Sequence, residues 1–169
     1  VIKSLQHASF AVNRKLVIDW IEASNLDDSS HSDWSVLKSA DGILVPGGFG
    51  DRGIEGKILA ANYARVNNVP YLGICLGLQV ATIEFCRNVL GMEGANSTEF
   101  DENTPNPAVV FMPEISKTHL GGTMRLGSRP TIFQVEDCMT RRLYGGNAQV
   151  DERHRHRYEV NPDLISKIE

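Results

Sequence analysis

The residues best placed for chemistry are Gly73-Ile74-Cys75-Leu76-Gly77, a thiol between two glycines where an apolar run gives way to a helical pattern. Gly-x-Cys-x-Gly is the thiol form of the nucleophile elbow. A sharp strand-to-helix turn holds the nucleophile in a strained backbone, and small flanking residues let the helix pass close to the strand. The side chain then stands at the positive end of the helix, where unpaired N–H groups favour thiolate. The same groups can face the oxyanion of a tetrahedral intermediate. The Leu76 amide is the natural donor. A second donor can come from Pro46-Gly47-Gly48-Phe49-Gly50, a glycine-rich turn that adjacent strand ends would bring alongside.

For an arbitrary cysteine the alternative is a small buried apolar residue; elbow context, helix start and the second glycine turn together favour the nucleophile. Cys86 lies about three helical turns further on, shares the helix face and reads as core. Cys138 begins a short amphipathic helix with no supporting context. The run GGFGDRGIEGK invites comparison with a phosphate cradle. Lys57 is followed by Ile58 rather than a hydroxyl residue, and the spacing fits neither the P-loop nor the dinucleotide fingerprint.

In Arg153-His154-Arg155-His156-Arg157, strand alternation would put the three arginines on one face and the two histidines on the other. Arginines ~7 Å apart along a strand call for anionic partners; nearby Asp151, Glu152 and Glu159 make a salt-bridged ribbon the plain reading. A nucleic-acid surface is disfavoured by the net charge of −4 and by the lack of an aromatic stacking platform. His7, His31 and His119 fall in a helix, a polar loop and a turn, and read as surface or packing histidines.

The elements that must position these residues follow from the apolar pattern. Ile2, Leu5, Ala8 and Val12 predict an opening helix, 16–21 a strand and 22–33 a polar loop. A short buried strand enters the glycine turn near 46–50, then come a helix over 54–68 with Ile58, Ala61 and Ala64 inward, a strand over 69–74 and a helix over 76–90. This alternation predicts a mostly parallel α/β sheet with crossover helices, whose ligands bind beyond the carboxyl ends of the strands. Both glycine turns lie at such ends. The second half predicts shorter strands in AVVFM, GGTMRLG, TIFQVE and VDERHRHRYEV, with helices near 137–144 and 162–169.

The 169 residues suit one domain with a sizeable core. Three scattered cysteines form no disulfide framework or zinc knuckle, which favours a reducing, cytoplasmic setting. No apolar run approaches the ~18 residues of a spanning helix. The sequence opens inside a helical pattern and stops inside another, so it reads as a piece of a longer chain or as its ordered residues only.

VPGGFG, RGIEGK, YLGICLGLQ, NSTEF, GGTMRLG and ERHRHRYEVN occur in this order along nearly the whole chain. Together they closely resemble the class I glutamine amidotransferase domain of the CTP synthase family. The resemblance implies a three-layer, flavodoxin-like α/β sandwich with a smaller antiparallel strand region. It implies hydrolysis of L-glutamine through a cysteine thioester, with ammonia passing to a synthetase domain that aminates UTP to CTP. That domain, absent from this sequence, would use ATP and Mg2+; GTP would activate the glutamine half, and the full enzyme would be a homo-oligomer, a tetramer. No cofactor or metal is expected in the glutaminase domain itself.

Carried over by the resemblance, Cys75 is the nucleophile and the Gly48 and Leu76 amides form the oxyanion hole. Phe49 lies beside the substrate, and Gln79, Glu99 and Arg157 hold the glutamine. An arginine fork suits the substrate carboxylate, a glutamate its ammonium, and Gln79 follows Cys75 by one helical turn. Arg125 in GGTMRLG receives no role: the segment is either a structural turn pair or part of the approach to the site. The resemblance draws its base and orienting acid from a His-x-Glu motif that this sequence does not contain. Both are expected outside these residues, which alone should be inactive. A non-catalytic regulatory domain on the same scaffold and a stand-alone γ-glutamyl hydrolase stay open; GGTMRLG argues against the second.

Overall fold

The computed structural model describes residues 1–112 and 125–169. They fall into two compact units: residues 1–110 with 160–169, and residues 111–159.

The first unit opens with helix α1 (Ile2–Ala11), which buries none of its residues. The strand expected over 16–21 does not form. The segment pairs with no described strand, and Val17 and Trp20 are exposed; apolar residues alone do not make a strand without a ladder partner. The polar stretch after it holds more order than its composition suggests. A 3-10 turn (Ala23–Asp27) and helix α2 (Asp33–Ser39) bury Leu26 and Leu37 beside Trp34, whose indole N–H donates to the Leu26 carbonyl at 3.1 Å.

Strand β1 (Ile43–Val45), helix α3 (Ile54–Val66), strand β2 (Tyr71–Gly73) and helix α4 (Leu76–Asn88) follow the expected alternation. β1 and β2 are parallel, with Ile43 opposite Tyr71, Leu44 opposite Leu72 and Val45 opposite Gly73. The crossover helix between them, α3, buries Ile58, Ala61 and Ala64 as its spacing required. α4 packs against both strands and α3, burying Val80, Ile83 and Cys86 completely, so Cys86 is core. With one paired edge among the described residues, β2 leaves Leu72 half exposed.

Strand β3 (Asn96–Ser97) pairs in parallel with β4 (Pro107–Phe111). The third strand of that sheet is β7 (Tyr158–Val160), after which the chain re-enters this unit. Asn161 then donates through its side chain to the Pro107 carbonyl and accepts from the Asp163 amide, opening a 3-10 turn (Pro162–Leu164) and helix α6 (Ile165–Ile168). The architecture is α/β, with the parallel pairing divided between two short ladders among the described residues.

The second unit is built on an antiparallel ribbon of β5 (Arg125–Ile132) and β6 (Gln149–His156), in register from Arg125–His156 to Ile132–Gln149. Helix α5 (Met139–Leu143) lies in the connection, capped by the Cys138 sulfur accepting from the Arg141 amide. The antiparallel region expected in the second half is therefore present. Gly121 to Met124 of GGTMRLG and His119 lie outside the described residues.

Candidate active site

The elbow around Cys75 is held by contacts that leave no space for side chains. Ile74 donates to the Val45 carbonyl, extending the β1–β2 ladder by one bond, and the chain then turns sharply. Cys75 caps α4 with φ 57 and ψ −104, a conformation that L residues rarely adopt and that functional turns characteristically retain. A Cβ at Gly77 would lie 2.1 Å from the Val45 carbonyl oxygen, and one at Gly73 2.5 Å from the Gly77 carbonyl. The two glycines thus let the helix start against the strands. Leu78 and Gln79 both donate to the Cys75 carbonyl, so the first turn closes directly on Cys75.

The second glycine turn lies beside the first. A Cβ at Gly47 would be 3.2 Å from Cys75 Cβ and 3.7 Å from its sulfur, and one at Gly48 3.3 Å from the Leu76 side chain. Register explains the neighbourhood, since Val45 and Gly73 are partners and both turns start at the same level. The Leu76 amide, first in its helix, has no intrahelical acceptor. The amides expected to face an oxyanion therefore belong to adjacent backbone. Phe49 is exposed at the tip of the turn. At its far end Lys57 donates to the Arg52 carbonyl at 2.8 Å, and burial pushes this lysine below its ordinary value.

Gln79 is buried on α4, one turn beyond Cys75. Glu99 follows β3, which packs against α4; its amide donates to the hydroxyl of the fully buried Ser97. Composition gave no sign of Glu84, a carboxylate only 2% exposed in the middle of α4. It accepts a bidentate pair from Arg65 and single bonds from Asn62 and Asn88, locking α4 to α3. Glu84 lies 22 residues from Asn62 and 19 from Arg65 in sequence, so only the packing of the two helices brings these polar partners together.

In the second unit the expected three-arginine face ends early. Arg153 and Arg155 are exposed and His154 and His156 half-buried, as alternation requires, but β6 stops at His156. Arg157 sits in the bend before β7, half-buried, its carbonyl accepting from the Met112 amide. Its Nε is sealed from solvent without a hydrogen-bond partner among the described residues, and so is His154 Nε2. The two imidazoles meet edge to face at 5.5 Å. Burial, then His154 and Arg125, push His156 below its ordinary value. Arg125, opposite His156 in the ladder, pairs with Glu159 at 3.2 Å.

Of the other histidines, His7 is exposed on α1, and His31 accepts from the Asp33 amide within its own turn. Among the described residues no helix is long and apolar enough to cross a membrane.

Comparison with known proteins extends this geometry. Residues 1–168 match the family model described as glutamine amidotransferase class-I. The chain is 60% identical over 179 residues to CTP synthase from Dictyostelium discoideum, covering 99% of this chain and 31% of that protein. It is 51% identical over 177 residues to CTP synthase 2 from Xenopus laevis, covering 100% of this chain and 31% of the relative. The chain thus spans about a third of the length of the curated relatives it matches. A solved structure described as the Trypanosoma brucei CTPS glutaminase domain with bound acivicin superposes with a TM-score of 0.90 at 38% identity, covering 99% of this chain and 63% of that one.

Proposed function

The chain belongs to the class-I glutamine amidotransferase family, and on that footing we propose that it hydrolyses glutamine at Cys75 as the ammonia-releasing part of a CTP synthase. The observation that carries the reading is the placement of the Gly47-Gly48 turn against Cys75 and Leu76. It sets a strained nucleophile beside two backbone segments whose amides can receive negative charge. The thiolate adds to the side-chain carbonyl carbon of glutamine, and the resulting oxyanion is held by the Gly48 and Leu76 amides. The carbon–nitrogen bond breaks as the nitrogen takes a proton and leaves as ammonia, forming a γ-glutamyl thioester. Water adds to that thioester, the thiolate departs and glutamate is released.

Gln79, Glu99 and Arg157 hold the substrate in this proposal, with Phe49 beside it. Arg157 supplies a half-buried guanidinium, whose planar fork is suited to receiving a carboxylate. The acivicin bound to the trypanosomal domain supports a glutamine-like ligand. The proton carrier is assigned to none of the five histidines; the depressed His156 is poorly suited to charge. Ammonia would pass to a synthetase domain that aminates UTP with ATP and Mg2+ in a cytoplasmic, tetrameric, GTP-activated enzyme. No residue here is assigned to those ligands.

The test is glutamate release together with acivicin labelling in the whole protein. Cys75→Ser should abolish both. Arg157→Ala should raise the glutamine KM about 10- to 100-fold, the equivalent of a charge-assisted hydrogen bond. Labelling that survives Cys75→Ser, or that ignores Arg157→Ala, refutes the assignment.

A further inference from the structure

Tyr71 opens β2, two residues before Gly73 and four before Cys75. Its hydroxyl donates to the Gly77 carbonyl at 2.8 Å, tying the strand to the first turn of α4. That carbonyl is also the group a side chain at Gly73 would strike, 2.5 Å from its Cβ. The bond therefore fastens the elbow from the strand side at its tightest point, and it spans the residue with φ 57. A side chain in that conformation persists only where its surroundings over-determine it. Backbone bonds secure the two ends of the elbow, from Ile74 to Val45 and from Leu78 and Gln79 to Cys75. Tyr71 adds a side-chain tie between them. Burial pushes its hydroxyl well above the ordinary tyrosine value, which favours the neutral, donating form.

We infer that Tyr71 is a positioning residue: through Gly77 it sets the orientation of the Cys75 thiol and the Leu76 amide. It acts on the reacting atoms only through the elbow, and the inference rests on Cys75 being the nucleophile of the proposed glutamine site. Loss of the hydroxyl should loosen the alignment of thiol and oxyanion donor while leaving the groups assigned to glutamine in place. The expected signature is a split, with kcat reduced and KM unchanged.

Tyr71→Phe in the whole protein tests this with two thiol probes. Acivicin requires the pocket and its oxyanion donors, whereas iodoacetamide requires only an accessible thiolate. Tyr71→Phe should lower kcat and the acivicin rate about tenfold, a misalignment effect, with glutamine KM and the iodoacetamide rate unchanged. Trp34→Phe removes a comparable side-chain bond to a carbonyl, at Leu26, and should leave kcat and both labelling rates unchanged. Both probes read the same folded protein, so their ratio stays informative if Tyr71→Phe folds poorly. An unchanged acivicin-to-iodoacetamide ratio in a labelled wild-type background, or an equal loss in Trp34→Phe, overturns the inference alone. Wild-type protein that acivicin does not label overturns the reading of the site and this inference with it.

Discussion

Gly77→Ala should damage both catalysis and stability. The added methyl would lie 2.1 Å from the Val45 carbonyl oxygen and 2.9 Å from its carbon, both backbone atoms of β1. A carbon–oxygen contact relaxes at roughly 3.3 Å, so the start of α4 and the end of β1 must separate by about 1 Å. Overpacking of this kind costs about 1–3 kcal/mol. Because neither wall is a movable side chain, the upper end applies, offset by about 1 kcal/mol from replacing a helical glycine with alanine. The net loss is about 2 kcal/mol, a fall of roughly 4–8 °C in Tm for a chain of this size. The same displacement moves Cys75 relative to the Gly48 turn, and a 1 Å misplacement costs about 100-fold in kcat. Glutamate release and a thermal melt measure the two effects. Leu37→Ala, in the core cluster of Leu26 and Ala60, is the stability match: it should lose about 2–5 kcal/mol with kcat intact. If Gly77→Ala keeps wild-type kcat, or Leu37→Ala loses as much, the close approach of helix and strand does not govern the site.

Cys75→Gly should be more stable than Cys75→Ala by roughly 1–3 kcal/mol in urea unfolding, because glycine relieves the positive φ; equal stabilities would show that the elbow stores no strain. Glu84→Ala should lose about 2–3 kcal/mol, less than for a fully buried pair because Arg65 keeps over a third of its side chain in water. Burial raises the Glu84 carboxyl, but the bonds from Arg65, Asn62 and Asn88 and the Arg65 charge outweigh it, so the folded value lies below the usual 4.5. Its contribution is complete above 4.5 and lost as pH falls through the folded value, so acid unfolding of Glu84→Gln should be less steep there. His156 is also depressed, chiefly by burial. Stability from its neutral form is complete above the ordinary 6.5 and declines as pH falls through the lowered value. His156→Phe should flatten that limb of a pH–stability curve, and an unchanged slope would refute the burial argument.

The alternation around the site was legible because each element carries its own signal. Ile58, Ala61 and Ala64 mark one face of α3, and the glycines around Cys75 mark a turn that no larger residues could make. Segment 16–21 shows where such reasoning fails: its residues suit a strand, but a strand also needs a neighbour, and none of the described strands provides one. In α2 and the 3-10 turn before it, Leu26, Trp34 and Leu37 were hidden among polar residues and declared themselves only in three dimensions. Arg157 was placed on an arginine face by alternation. The strand ended one residue earlier, which turned a surface arginine into a half-buried one. Each miss concerns pairing, packing or an element boundary, which local periodicity does not encode.

The register of a short parallel ladder is what makes the site. Val45 and Gly73 are partners, and each is the last residue of its strand before a glycine turn. The bonds from Ile43 to the Pro70 carbonyl and from Ile74 to the Val45 carbonyl fix that level from both ends. A slip of one residue would offset the turns by about 3.3 Å. It would also reverse the faces on which Tyr71 and Leu72 stand. Gly48 would then leave Leu76, now 3.3 Å from the position of its absent Cβ, and the tyrosine hydroxyl would leave the Gly77 carbonyl. Neither turn alone supplies both the nucleophile and the pair of oxyanion amides of the proposed mechanism. The proposed chemistry therefore depends on a ladder of three residue pairs, in the register at which Gly77 packs tightly on Val45.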